Sequence, residues 1–223
     1  PVCINLPRNI LANSEKFKIN EIKKSYEENI TLKSNNKLLK KVINLINGSN
    51  KIVIIVGAGI KYNSKFKKVT RLAEYLNVPI VAAAGHGDAV PFNYKLNAGQ
   101  MGPRGNPVAS KLVKEADIII ALGTRLGFNS TFYSYENINK KAKIIQVELE
   151  KKMIGRYFPV EIGIYADAAT FADQLYNEIK KTKLTTHFKE WTTRYLNERK
   201  KFLIDRDKIK FKKLGLIVID EQH

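Results

Sequence analysis

Sulfur and imidazole are scarce in this chain of 223 residues, which has one cysteine (Cys3), two methionines and three histidines. A lone cysteine excludes an internal disulfide and any cysteine-based metal site, and a reducing cytoplasm is the compartment to expect. His86, His187 and His223 are too dispersed along the chain to suggest a zinc site or a catalytic triad. No apolar run approaches the roughly 18 to 20 residues that cross a bilayer, so no membrane partner is expected. P-loop and nucleophile-elbow spacings are also missing, and the residues by themselves assign no catalytic group and no metal ligand. No basic segment followed by an apolar one opens the chain. Its start, Pro1-Val2-Cys3-Ile4-Asn5, reads as the interior of a domain and leads us to expect a fragment of a longer protein.

Positive charge, by contrast, is abundant: 39 lysines and arginines against 21 acidic residues give a net charge of +18. The lysines fall in scattered pairs such as Lys23-Lys24, Lys67-Lys68 and Lys151-Lys152, often beside asparagine, without an aromatic-interleaved stripe. That pattern describes a solvated surface, and no nucleic acid is expected as a partner.

The length suits one α/β domain of about 150 residues with flanking segments. Val2 to Leu6 is a short β-type run closed by Pro7, and a polar linker follows. Apolar residues from Leu38 to Ile46 recur at helical spacing and stop at Asn47-Gly48, which predicts a left-handed helix end. Five strands are then predicted, over 51–56, 78–83, 117–122, 143–147 and 161–165. Helices are predicted after the first (Phe66 to Leu76), after the second (from Asn106-Pro107) and after the fifth (Ala168 to Lys180). Alternation of this kind signals a three-layer, doubly wound, Rossmann-like parallel sheet of five to six strands. Beyond Thr182 the chain reads as a charged helix around Trp191 and Tyr195, ending in an apolar run from Leu214 to Ile219.

Parallel sheets take ligands beyond the carboxyl ends of their strands. Gly57-Ala58-Gly59 follows the first strand, but Tyr62 stands where a dinucleotide fingerprint needs its third glycine. Gly85-His86-Gly87-Asp88 follows the second, then a long loop with Gly99, Gly102, Arg104 and Gly105 that suits either an anion cradle or a flexible connection. Gly123-Thr124-Arg125 follows the third; Arg125 could clamp a diphosphate or sit in a surface ion pair. Glu148 and Glu150 could accept ribose hydroxyls or be exposed acids, and Asp167 could be a ligand group or a helix N-cap.

Taken together, these segments resemble the central domain of thiamine-diphosphate-dependent enzymes of the acetolactate synthase and sulfoacetaldehyde acetyltransferase group. The resemblance is colinear. It runs from Pro1–Asn9 through Ile52–Gly59, Leu72–Pro79 and the most diagnostic stretch, Ala116–Leu126, to Ile144–Glu148, Val160–Ile164 and Asp167. His86 with Asp88, Gly102-Pro103, and Arg125-Leu126 followed by Asn129-Ser130-Thr131 are closer to the sulfoacetaldehyde acetyltransferase type. The resemblance implies the end of a pyrimidine-binding domain at 1–12, a linker at 13–34, the central domain at 35–182, and a helical linker at 183–223 toward a diphosphate-binding domain. It also implies a cytoplasmic homo-oligomer, a dimer or tetramer, that uses thiamine diphosphate and magnesium on a small-molecule substrate, with this chain inactive alone. In flavin-containing relatives the strand-end loops hold FAD. By position the cofactor-binding candidates are Gly57, Gly59, Gly102, Gly123, Arg125, Glu148 and Asp167, with FAD or ADP as the ligand. Leu126-Gly127 departs from the aromatic and acidic pair usual there. An acetolactate-synthase-like fragment and a free-standing FAD- or ADP-binding module are the alternatives.

Overall fold

The computed structural model describes residues 14, 32–61, 65–182, 184 and 188–207. Its centre is the run Ile52–Val56 (β1), five apolar residues buried end to end, as a strand covered on both faces must be. The other strands are β2 (Ile80–Ala82), β3 (Asn97–Gln100), β4 (Ile118–Leu122), β5 (Lys143–Glu148) and β6 (Ile162–Tyr165). They form one six-stranded sheet in the order β3-β2-β1-β4-β5-β6, with every pairing parallel. The predicted doubly wound architecture is therefore the one observed.

The helices are α1 (Asn36–Asn47), the single turn α2 (Ala58–Lys61), α3 (Phe66–Leu76), α4 (Pro107–Glu115), the single turn α5 (Phe128–Thr131), α6 (Ala168–Ile179) and α7 (Lys189–Asp207). Alternate strand residues point to opposite faces and build two cores. Ile54, Ile120 and Val147 join α1, α3 and α6 on one face; Val53, Ile55 and Ile119 join α4 and α7 on the other. α4 starts where its sequence says it should, with the Asn106 side chain accepting the N–H of Val108 and Pro107 in the first turn.

Three readings change. The loop expected to carry Gly99 contains the edge strand β3, hidden in the sequence because Asn97 and Gly99 are poor strand formers. Its pairing with β2 shifts register between Ile80 and Val81, leaving Ala98 as the extra residue of a bulge. α1 does not end in a left-handed residue: Gly48 has φ −93° and donates its N–H to Asn44 and Leu45 carbonyls, and the left-handed cap belongs to Asn77 after α3, at φ +52°. The charged helix expected as a connection is also a layer of the domain. Trp191 and Tyr195 of α7 are buried, and Trp191 Nε1 donates to the Ile52 carbonyl at 2.9 Å. Val2 to Leu6, Tyr62, His187, His223 and the run from Leu214 lie outside the described residues, as does the linker apart from Ser14 and residues 32–34. Among the described residues no helix is long and apolar enough to cross a membrane.

Candidate functional site

Strand order reverses between β1 and β4, so the loops leaving these neighbours diverge and open a crevice at the sheet's carboxyl edge. It is a cleft of about 440 Å3.

Its floor is backbone. Gly57 N–H donates to the Leu122 carbonyl and Gly59 N–H to the Gly123 carbonyl, both at 3.1 Å. A Cβ on Gly57 would lie 2.5 Å from Gly123 O and 2.6 Å from Thr124 Cβ, and one on Gly59 would lie 2.8 Å from Gly123 Cα. Gly123 itself sits at φ +61°. The glycines after β1 are thus demanded by a second loop crossing them, whatever ligand the cleft takes.

The walls are tied by side chains. Ser130 Oγ accepts the Ala84 N–H at 2.9 Å, which joins the loop after β2 to the one after β4. Three non-glycine residues in the latter region, Leu126, Phe132 and Tyr133, have φ of +51°, +50° and +54°. Thr131 Oγ1 holds them by donating toward the Leu126 and Gly127 carbonyls and accepting the Tyr133 N–H. This bent segment places Phe128 at the mouth, edge-on to Phe132 with ring centroids 5.0 Å apart.

The rim carries the charge. Arg125 donates to Glu150 at 2.8 Å, and both side chains are about half exposed (55% and 46%), so this guanidinium is already engaged in an ion pair. Lys61 pairs with Asp88 at 2.9 Å. Burial lowers the His86 pKa, Lys61 lowers it further, and Asp88 opposes both; the imidazole is neutral at pH 7, and its Nδ1 is buried without a partner. Glu148 lies on the lining and accepts the Leu149 N–H.

Four of the seven predicted cofactor-binding residues, Gly59, Gly123, Arg125 and Glu148, therefore meet at one cleft. Gly57 lies beneath it. Gly102, at φ +96°, packs where a Cβ would be 2.6 Å from Asn129 O. Asp167 caps α6: its Oδ1 accepts the Thr170 N–H and hydroxyl, and its Oδ2 meets Lys65 Nζ at 2.6 Å. Burial would raise this carboxyl, but Lys65 and Thr170 hold it below the usual carboxylate range.

Sequence reasoning gave no weight to Gln146, the one polar residue inside buried β5. Its Nε2 donates to the Thr124 and Met153 carbonyls and its Oε1 accepts the Gly155 N–H, which fixes the loop after β4 from below. A polar side chain in an apolar strand was the available signal.

The cleft thus offers one paired guanidinium, one imidazole, the Glu148 carboxylate, the Phe128 ring and a set of small residues. Among the described residues no group of three His, Cys, Asp or Glu gathers to hold a metal.

A family model described as "Thiamine pyrophosphate enzyme, central domain" matches residues 39–175. A sulfoacetaldehyde acetyltransferase of Roseovarius nubinhibens is 36% identical over 132 residues, 58% of this chain and 22% of the relative. One of Rhodobacter capsulatus is 38% identical over 122 residues, 54% of this chain and 21% of the relative. A probable acetolactate synthase large subunit of Methanococcus aeolicus is 25% identical over 182 residues, 80% of this chain and 30% of the relative. The chain thus spans between a fifth and a third of the length of these curated relatives. Neither the family description nor these names carries a flavin or an adenine nucleotide, and the FAD and ADP expectations gain no support.

Proposed function

The chain belongs to the central-domain family of thiamine pyrophosphate enzymes, and from that premise we propose that it is the central domain of a thiamine-diphosphate- and magnesium-dependent acetyltransferase. The reaction is conversion of sulfoacetaldehyde and phosphate to acetyl phosphate and sulfite. What carries this reading is the identity gap: 36% and 38% to two sulfoacetaldehyde acetyltransferases against 25% to an acetolactate synthase subunit. The synthase reading stays as the alternative because that alignment reaches 80% of the chain.

Thiamine diphosphate supplies a stabilised carbanion for cleaving the bond beside a carbonyl. The cleft's residues do not fit it with its metal: Arg125 is engaged by Glu150, and no cluster of metal-binding side chains is found among the described residues. The chain's own part is that of a scaffold, with the preceding and following domains bounded near 1–12 and 183–223 and assembled in a homo-oligomer. The strained loop with Phe128 and the Arg125–Glu150 rim is the surface offered to the reactive parts.

The test is to assay the polypeptide translated from the whole reading frame beside the 223-residue chain. We expect thiamine-dependent sulfite and acetyl phosphate from the former and neither from the latter. Acetolactate formation from pyruvate without sulfite release would replace this reading by the alternative, and sulfite release by the short chain would refute the scaffold role.

A further inference from the structure

The loop that leaves β2 forms one side of the cleft, and little holds it there. Ala84 is fastened by its N–H to Ser130 Oγ, and Ala89 and Val90 are buried in the core. Between these two anchors run Gly85, His86, Gly87 and Asp88, of which only His86 is partly buried. Gly85 stands at φ +81° with no atom within 4 Å of the place a Cβ would take, so there is room around it for the backbone to turn.

Two contacts seat the segment. Asp88 meets Lys61 of α2 at 2.9 Å, but its side chain is 67% exposed, and an ion pair in water contributes little. The other contact is the His86 ring, which lines the cleft and buries an Nδ1 with no hydrogen-bond partner. Among the described residues, the charges that act on this ring are Lys61 of α2 and Asp88 of its own loop. Arg125, already paired with Glu150, and Glu148 lie on the same cleft, and β3 presents uncharged Gln100 to Gly87. A proton on the imidazole would set a second cation near Lys61 and, at Nδ1, an N–H where no acceptor waits. Burial and Lys61 accordingly lower the His86 pKa, against a smaller opposing effect of Asp88.

We propose that Gly85–Asp88 is a proton-operated flap of the cleft, seated while His86 is neutral and swung outward about Gly85 when the imidazole takes up a proton. The proposal is independent of the reaction assigned above. The seated form takes up the proton less readily than the free one. Seating is therefore complete above the ordinary imidazole value of about 6.5 and is lost as pH falls from there through the lowered one.

Hydrogen exchange of the 223-residue chain, read by NMR as protection factors, tests it. The Ala89 N–H, bonded to the His86 carbonyl, reports the flap, and the Ala83 N–H, bonded to the Val56 carbonyl, reports the sheet beneath. We expect the ratio of flap to sheet protection to fall about tenfold between about pH 8 and about pH 5. His86→Gln should hold the ratio constant across that range, and His86→Lys, with its permanent charge, should give the low ratio at the alkaline end already. A wild-type ratio that does not move, an undiminished fall in His86→Gln, or a high ratio in His86→Lys at the alkaline end would each overturn the proposal; the sheet amide separates a seated flap from a chain that has lost its fold.

Discussion

The floor and the rim of the cleft at the strand-order reversal are built by opposite means. The floor is two loop backbones so close that Gly57 and Gly59 have no room for a Cβ against Gly123. The rim is paired charge, half-exposed Arg125 with Glu150 and, beside it, partly buried Lys61 with exposed Asp88. Substitutions should therefore act on folding below and on recognition above. A glycine in such a floor reports a neighbour at van der Waals distance, whereas a rim charge reports only what water and its ion-pair partner allow.

The sharpest way to break this contrast is Gly57→Ala, which forces a methyl into Gly123 and Thr124. A loss of about 3 kcal/mol is expected from urea unfolding, and wild-type stability would show that the loops can part. Next comes Asp167→Ala, behind the cleft, which removes the α6 cap and should cost about 1 to 2 kcal/mol. The Asp167 carboxyl is held low in the folded state, so its contribution is present above the ordinary carboxylate value near pH 4 and fades as pH falls through the lowered one. The stability gap between wild type and variant should close under acid.

His86 has a linkage of the same sign, centred at higher pH. Its folded pKa is depressed, so the unfolded chain takes up the proton first and stability declines as pH falls through about 6.5. Urea midpoints measured between pH 8 and 5 should fall less steeply in His86→Gln. Smallest of all, Arg125→Gln should shift stability by no more than about 0.5 kcal/mol, because an exposed pair contributes little. A larger thermal-shift effect would make the rim structural and erase the contrast.

Much of the fold was legible. The β-branched runs at 51–56, 117–122 and 143–147 announced strands, and Asn106-Pro107 announced the start of α4. β3 was not, because Asn97 pairs through backbone while its side chain turns to the Pro91 carbonyl and the Gly99 N–H, leaving no apolar alternation to read. The turn α5 was missed for a related reason: left-handed Phe132 and Tyr133 are tolerated only through the Thr131 hydroxyl, a local compensation without a pattern. For the site, strand ends located the cleft and four of its residues. Glycine spacing could not say what approaches a glycine, so Gly57 and Gly102, which lie off the cleft lining, looked the same as Gly59, which is on it. Asp167 was ambiguous in sequence because a cap and a ligand group use the same carboxylate.

The indole bond from Trp191 to Ile52 joins residues separated by 139 positions. β1, central in the sheet, precedes the other strands in the sequence, so it is synthesised early yet can receive this contact only once nearly the whole domain has left the ribosome. Docking of α7 is then a late, entropically demanding closure in a topology already dominated by non-local pairing. The chain's single tryptophan would report it by fluorescence as the final event of folding.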